Sequence, residues 1–429
     1  MTTPFTFIHA ADLHLDTPFK GVLAKNPEVA ALLRDATLRA FDSLIELCLS
    51  EKAAFLLIAG DLFDGPEHGI RAALALQRGF GRLDKAGIRV FIVLGNHDPL
   101  YKELLNKWRA KNGFGPNVTV FGPEPATVPV ERDGEKLALV HGVSYKKREE
   151  TGDLASLLKR AKEDVFQIGL VHATVGKADG QQPYAPSSLE TLRASGLDYW
   201  ALGHVHTHAV ISEENPAVVY PGNLQALSPR ETGERGAYVV KVDAARSTKL
   251  DFVPLDCLRQ SRKTVSLEGS DDLLFLSSLL SKAKEEALRE AGGRPVVLRA
   301  VLKGATALYG ELTAQGELDQ LVSQLREEAA GSEPLLWWNR IDVEVTPVID
   351  IAELKERQGF EAELIGLVET LGGDAEALGA FSRECWGDLY GKQPQLRKFA
   401  PPAPEGEDLF AELLAARDLA LEKLTEPGE

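Results

Sequence analysis

The chain has 429 residues, of which 44% are apolar and 26% are charged, a balance that is typical of globular proteins. This composition excludes a disordered or fibrous chain, and the length predicts two or three domains. We expect no signal peptide, because the first residues lack a basic segment followed by an apolar one, and no run is apolar enough for a membrane span. The three cysteines, Cys48, Cys257 and Cys385, are too few and too scattered for a disulfide framework or a thiolate metal site. We therefore expect a cytoplasmic protein without a membrane association.

Short apolar segments alternate with amphipathic ones in the first part of the chain. Helices are predicted over 27–50 and 66–86, each with a proline near its start. Buried strands are predicted at Phe5–His9, Ala54–Ala59, Arg89–Leu94, Leu137–His141, Gln167–His172 and Asp198–Leu202. Further strands follow at Val218–Tyr220, Gly236–Val242 and Lys249–Leu255. The alternation predicts an α/β domain over 1–258, and the later strands favour a second sheet, which makes it an α+β sandwich.

In the rest of the chain, the sequence pattern predicts a smaller domain and a helical tail. Residues 259–348 have the order strand, helix, strand, helix, strand, which indicates a small α+β domain. Within it, Trp337 and Trp338 favour a buried strand, with base stacking as the alternative. A helical segment over 349–398, a Pro-rich linker over 399–406 and an amphipathic helix over 407–429 complete the chain. This last helix is expected to bind a partner or to pack on its own domain.

The net charge of −16 is concentrated at the end of the chain. From residue 350 onward, 8 Lys and Arg stand against 18 Asp and Glu, a net of −10. The sequence therefore lacks the broad basic surface that DNA-binding modules usually present. Any contact with DNA must come from a local patch, from bound metal ions or from a partner.

Side chains that bind metals follow the predicted strands. All nine histidines lie between His9 and His208, and ligands in α/β folds gather at the carboxyl ends of strands. The candidate group is Asp12, His14, Asp61, Asn96, His97, Asp98, His172, His204 and His206. Carboxylate, imidazole and amide oxygen without thiolate suit two divalent ions, with manganese expected and zinc, iron or magnesium as alternatives. Two such ions that share a carboxylate can hold both the attacking and the leaving oxygen of a phosphate ester.

Simpler explanations exist for single members of this group. Asp and Asn are common in turns because their side chains bond to nearby backbone. His141 ends a strand as His172 does, and is an alternative to it. Several segments with Asp, Asn or His follow the ends of predicted strands. This repeated placement favours a metal site over a separate structural explanation for each residue.

Five pieces together resemble the motifs of the calcineurin-like metallophosphoesterases. They are Asp12-Leu-His14, Gly60-Asp61, Gly95-Asn-His-Asp98, the lone His172 and Gly203-His-Val-His206, in this order. Three segments are similar to its DNA repair exonuclease branch, the SbcD/YhaO-like proteins: Phe7-Ile-His-Ala-Ala-Asp-Leu-His-Leu-Asp16, Gly60-Asp-Leu-Phe-Asp64 and Tyr220-Pro-Gly-Asn223. The resemblance covers residues 5 to about 255 well and the small domain loosely. It implies a four-layer αββα domain with a small capping domain and a helical tail.

The resemblance also implies a role for each residue. Asp12, His14, Asp61 and His206 would hold one ion, and Asp61, Asn96, His172 and His204 the other. The ions would activate a water for attack on phosphorus. His97 would stabilise the transition state or protonate the leaving oxygen, with Asp98 orienting its ring. Asp64, Asn223 and His208 are the candidates for substrate binding, and Asp64 stands where some nucleases of the family have a histidine.

These features predict a metal-dependent DNA nuclease, an exonuclease on duplex ends with endonuclease activity on single strands. The resemblance implies an SMC-like ATPase partner of the SbcC or YhaN type, bound through the C-terminal helix, and a homodimer formed through helices such as 66–86 and 101–111. Two alternatives stay open. One is a phosphoesterase of nucleotides or cyclic nucleotides, which the acidity favours slightly, and the other is a scaffold subunit of an ATPase complex.

Overall fold

The structure is a computed structural model that describes residues 3–15, 17, 27–64, 70–99, 114–176, 184–269, 272–314, 316–348, 350–357, 359–392 and 407–425. The helix expected over 101–111 and the Pro-rich linker over 399–406 lie outside these residues. So do the first residues of the helix expected over 66–86 and the last four of the chain.

Two six-stranded sheets carry most of the β-structure. From edge to edge, the first contains β12 (Thr248–Pro254), β11 (Gly236–Val242), β1 (Phe5–Ala10), β2 (Phe55–Ala59), β3 (Arg89–Val93) and β4 (Val118–Val120). The second contains β5 (Ala126–Arg132), β6 (Glu135–Val143), β7 (Phe166–His172), β8 (Tyr199–Gly203), β10 (Ala217–Tyr220) and β9 (Ala209–Ser212). Strands β1 to β4 are parallel, and so are β6, β7, β8 and β10. Their carboxyl ends therefore form two common edges at which loops converge.

The two sheets pack face to face between layers of helices. Because side chains alternate along a strand, Phe7 and Phe55 enter the core between the sheets, where Phe166 of the second sheet joins them. Their neighbours Ile8 and Leu56 face the other way, into a core with α1 (Pro27–Ser50) and α2 (Ile70–Lys85). The far face of the second sheet packs on α3 (Leu189–Ala194) and on the 3-10 helix Ala155–Leu157. The architecture is thus the four-layer αββα sandwich that the family resemblance implied.

A three-stranded sheet and a set of helices follow. The sheet has the order β13 (Arg259–Ser266), β14 (Val296–Thr306), β15 (Leu336–Pro347), with helices α4 (Leu273–Ala291), α5 (Tyr309–Thr313) and α6 (Glu317–Glu328) between the strands. The tail consists of α7 (Ile351–Glu356), α8 (Phe360–Gly372), α9 (Ala375–Lys392) and α10 (Glu407–Thr425). Trp337 and Trp338 are buried in β15, as the packing interpretation expects. Among the described residues, no helix combines the length and apolar character of a membrane span.

Contacts divide the chain into two compact units. The first comprises Met1–Lys263, Lys284–Arg299 and Val322–Arg340, and the second comprises Thr264–Ala283, Ala300–Leu321 and Ile341–Glu429. A grouping by contacts does not identify independently folding domains, so the boundaries at 258 and 348 stay predictions.

Sequence patterns missed β4, β5 and β9, three of the four strands at the edges of the two six-stranded sheets, although they located the fourth, β12. β5 is exposed along most of its length and β9 has only partly buried or exposed residues. An edge strand with one or both faces in water loses the apolar signal by which buried strands are recognised.

Candidate metal centre

The candidate ligands lie at the carboxyl ends of five parallel strands, either on the last residue of a strand or on the loop that follows it. Asp12 and His14 follow β1, Asp61 follows β2, and Asn96 follows β3. In the second sheet, His172 is the last residue of β7, and His204 and His206 follow β8. The face-to-face packing of two sheets brings these separate loops together.

The backbone of these loops is held in an unusual conformation. Asp12, His14, Asp61 and His204 have φ angles of 51°, 41°, 52° and 98°, in the left-handed region that such residues rarely adopt. The amides of Asp12 and His14 donate to the carbonyls of Gly60 and Asp61, each at 3.0 Å, which joins the loops after β1 and β2. Strained backbone of this kind persists where surrounding contacts fix it, and it clusters at functional sites.

Two glycines allow the loops to approach one another. A Cβ at Gly203 would lie 1.8 Å from the carbonyl oxygen of Ala59, at the end of β2. A Cβ at Gly95 would lie 2.3 Å from Oδ1 of Asp61 and 2.8 Å from Nε2 of His172. Glycine is therefore needed at positions 95 and 203, because a larger side chain would overlap Asp61 and His172 at the first position and Ala59 at the second.

In the Gly203→Ala variant, the free energy of unfolding is expected to fall by about 1–3 kcal/mol or more. The added methyl group would meet the carbonyl oxygen of Ala59, which is fixed in β2. Gly81→Ala is the matched control, since Gly81 lies in α2 and, apart from the adjoining backbone of its own helix, no atom lies within 4 Å of its Cβ position. That variant should be at least as stable as the wild type, because alanine favours a helix. Urea unfolding measures both, and equal stability of Gly203→Ala and the wild type would contradict the predicted clash.

One set of side chains converges around His14. Single ligand atoms of Asp12, His14 and His206 all lie within 4.8 Å of one another. The Nε2 atoms of His14 and His206 are 3.3 Å apart, and Nε2 of His14 is 3.8 Å from Oδ2 of Asp61. Two imidazole nitrogens that face each other at this distance suit a cation that accepts both lone pairs.

A second set converges around His172. Nδ1 of His172 donates to the carbonyl of Ala59 at 2.9 Å, so Nε2 carries the lone pair in the neutral ring. That Nε2 lies 3.0 Å from Oδ1 of Asn96 and 3.4 Å from Oδ2 of Asp61. The ring of His204 lies beside it, with centroids 5.2 Å apart, and its buried Nε2 has no hydrogen-bond partner among the described residues. These donors fit a second cation, and Asp61 lies between the two sets.

The protonation states of the buried groups favour cation binding. Burial lowers the pKa of His172 and His204 to about 3 and holds that of His14 well below its ordinary value, so the three rings are neutral. Burial also raises the pKa of Asp12 and Asp61 above 3.8, and the charge of Asp61 adds to the effect on Asp12. A divalent cation would offset the cost of ionising both carboxylates in a buried site.

We expect the affinity for a divalent cation to rise with pH between about pH 5 and about pH 9. Because burial favours protonated Asp12 and Asp61, a cation must displace their protons, and fewer protons remain to be displaced as the pH rises. Calorimetric titration with Mn²⁺ in buffers of different ionisation enthalpy measures both the affinity and the released protons. An affinity that is independent of pH, with no proton release near pH 6, would contradict the raised pKa values.

In the structure, the hydrogen-bond partner of His97 differs from the residue that we expected. We expected Asp98 to orient this ring, but Nδ1 of His97 lies 2.9 Å from Oδ1 of Asp64. The carboxylate of Asp98 instead accepts the backbone N–H groups of Gly95 at 2.9 Å and Leu62 at 2.7 Å. The Asp98 carboxylate therefore joins the loops after β2 and β3 by hydrogen bonds. The hydrogen bond to Asp64 raises the pKa of His97 to about 9, against the opposing effect of burial.

Of the three residues expected to bind substrate, one is buried and two remain accessible. Asn223 is fully buried, donates from Nδ2 to Glu231 at 3.0 Å and accepts from Arg235. The ring of His208 stacks on Phe252 of β12, with centroids 4.0 Å apart. Burial of Asn223 leaves it no surface for substrate, whereas His208 is only partly buried and its role in substrate binding stays a prediction. Asp64 is the third, and its contact with His97 places it at the site.

Sequence reasoning missed Glu231. Its Oε1 lies 2.8 Å from Nδ1 of His206, 25 positions away along the chain. No periodicity or motif spacing connects the two residues. The available signal was weak: Glu231 is the only acid in the segment 225–232 that follows Tyr220-Pro-Gly-Asn223.

Comparison with known proteins gives a consistent assignment. Residues 5–208 match the family model of the calcineurin-like phosphoesterases, and residues 261–346 match the middle domain of metallophosphoesterase YhaO. The uncharacterized metallophosphoesterase YhaO of Bacillus subtilis is 33% identical over 358 residues, which cover 82% of this chain and 85% of that protein. The DNA double-strand break repair protein Mre11 of Aeropyrum pernix is 28% identical over 240 residues, which cover 54% of this chain and 56% of that protein.

Among solved structures, TT1561 of Thermus thermophilus has 15% identity and a TM-score of 0.36, covering 58% of this chain and 99% of that one. The assignment therefore depends on the sequence matches, which include the loops of the candidate metal centre. The chain belongs to the calcineurin-like metallophosphoesterase family and carries a YhaO-like middle domain.

Proposed function

We propose that this phosphoesterase is a divalent-metal-dependent nuclease that hydrolyses phosphodiester bonds in DNA. The observation that carries the proposal is the convergence of two ligand sets on Asp61, with the His97–Asp64 pair beside them. Similarity to Mre11, whose name states a role in double-strand break repair, supports DNA as the substrate. The bound ions would activate water and neutralise charge on the phosphoryl oxygens.

His97 has the properties of a general acid. Its side chain is 30% exposed, so it is accessible to a bound substrate, and Oδ1 of Asp64 lies 2.9 Å from its Nδ1. With a pKa of about 9, the ring is protonated at neutral pH and can transfer a proton to the leaving oxygen. Asp64 would hold the ring in place and stabilise its positive charge, which is the contribution that we assign to it instead of direct substrate binding.

The test is digestion of linear duplex DNA labelled at its 5′ or 3′ end, with Mn²⁺, Mg²⁺ or Zn²⁺ added separately. Progressive shortening with one or more metals, absent in an inactive metal-site variant, is the expected result. The net charge of −16 favours a second candidate, a phosphodiesterase of nucleotides or cyclic nucleotides. Turnover of these small substrates without any cleavage of labelled duplex or single strands would replace the nuclease proposal by this one.

An SMC-like ATPase remains our proposal for a partner of the C-terminal helix. α10 exposes Phe410, Leu419 and Leu424 by 37%, 58% and 44%. A Leu419→Glu/Leu424→Glu variant should lose stimulation by such an ATPase while its basal hydrolysis is unchanged. Unchanged stimulation would exclude α10 as the contact.

A further inference from the structure

A hydrogen-bond network joins the candidate ligand His206 to the loop after β10. Oε1 of Glu231 lies 2.8 Å from Nδ1 of His206. Oε2 of Glu231 accepts the backbone N–H of Leu227 at 2.6 Å and Nδ2 of Asn223 at 3.0 Å. Three donors therefore hold this carboxylate, whose side chain is 20% exposed.

The backbone of His206 is held by the same loop. Its carbonyl oxygen accepts the N–H of Asn223 at 3.1 Å and a hydrogen bond from Nη1 of Arg235. Arg235 is 4% exposed and also donates to the carbonyl of Thr232 at 2.8 Å. Both the backbone and the ring of His206 are thus fixed by residues of one loop.

The contact with Glu231 determines which ring nitrogen is available. An ionised carboxylate can only accept, so Nδ1 of His206 must carry a proton. In the neutral ring the lone pair is then on Nε2, which faces Nε2 of His14 at 3.3 Å. We propose that Glu231 is a positioning residue that fixes the tautomer and orientation of His206, so that Nε2 can bind a cation. This inference rests on the proposed function, in which His206 is a metal ligand.

A glutamine at position 231 separates this role from simple support of the loop. Leu227 and Asn223 both donate and need an acceptor, so the amide oxygen of glutamine is expected to face them. The amide NH₂ group then faces Nδ1 of His206, which must accept, and the ring proton moves to Nε2. The fold would be retained while the lone pair turns away from the cation site.

The experiment compares the full-length wild type with Glu231→Gln and Glu234→Gln. Glu234 is the matched control, because it lies in the same loop, is half exposed and undergoes the same change of charge. We expect calorimetric titration with Mn²⁺ to show an affinity loss of about 10–100-fold in Glu231→Gln, the usual effect of removing the residue that orients a metal-binding histidine. Glu234→Gln should match the wild type, and the thermal midpoints of all three should agree within a few degrees.

Nitrogen-15 NMR of the metal-free wild type gives a readout that needs no variant. In the neutral form of the ring, His206 should be protonated at Nδ1, and in Glu231→Gln at Nε2. A wild-type ring protonated at Nε2, or unchanged Mn²⁺ affinity in a folded Glu231→Gln, would overturn the inference while leaving the proposed nuclease intact. A wild type that binds no divalent cation would instead remove the proposed function itself.

Discussion

Asp61→Asn is expected to keep the fold and lose more than about 10³-fold of the hydrolytic activity, a larger effect than removal of a single charge-stabilising donor. Asparagine has nearly the same shape, and its oxygen can accept the N–H of His97, which lies 3.0 Å from Oδ1 of Asp61. The negative charge that both ligand sets share is lost. Because burial makes ionisation of Asp61 costly, the metal-free variant should be as stable as the wild type or more so.

Three measurements test this expectation. Calorimetric titration should show that the variant no longer binds two Mn²⁺ ions, thermal unfolding should show an unchanged or higher midpoint without metal, and DNA cleavage should be lost. Asp133→Asn is the control, since the side chain of Asp133 is 95% exposed and the change of charge is the same. Two tightly bound ions in Asp61→Asn would show that Asp61 does not bridge them.

His97→Ala is expected to bind two metal ions normally and to lose about 10²–10⁴-fold of its activity on DNA, the usual contribution of a general acid. The alkoxide that leaves from DNA needs a proton, whereas p-nitrophenolate is a stable anion. Cleavage of bis-p-nitrophenyl phosphate should therefore be affected much less. Equal losses on both substrates would show that His97 stabilises charge in the transition state and does not donate a proton.

Asp64→Asn should shift the pH dependence of the same reaction. The hydrogen bond from His97 to Asp64 is the largest cause of the raised pKa of about 9, so its weakening moves the pKa towards the ordinary 6.5. An acid is active while protonated, so DNA cleavage by the variant should decline at a lower pH than that of the wild type. Asp98→Asn is the control. It weakens the hydrogen bonds that Asp98 accepts from Gly95 and Leu62, so it should lower the free energy of unfolding without shifting the pH dependence of cleavage. Identical pH profiles of Asp64→Asn and wild type would exclude Asp64 as the partner of His97.

Sequence patterns were sufficient to predict the layered α/β fold, and the family resemblance of the motifs supplied the seven proposed ligands. The buried strand β2 is a continuous apolar run, and so is β3 after Arg89, because both faces of these strands are covered. Asp61 follows the end of β2, and Asn96 follows the end of β3. The motif residues lie next to these strands in the chain. A local pattern is therefore sufficient to find them, and it also located α1 at its observed bounds.

The contacts between side chains of the site could not be predicted from the sequence. Asp98 is adjacent to His97 in sequence, yet its carboxylate binds the backbone of neighbouring loops, while Asp64, 33 positions earlier, contacts the ring. Glu231 reaches His206 because the loop after β10 contacts the loop after β8, where the N–H of Asn223 donates to the carbonyl of His206. The reason is physical: a parallel sheet aligns the ends of its strands, but the direction of each side chain depends on the packing of loops that are distant in sequence.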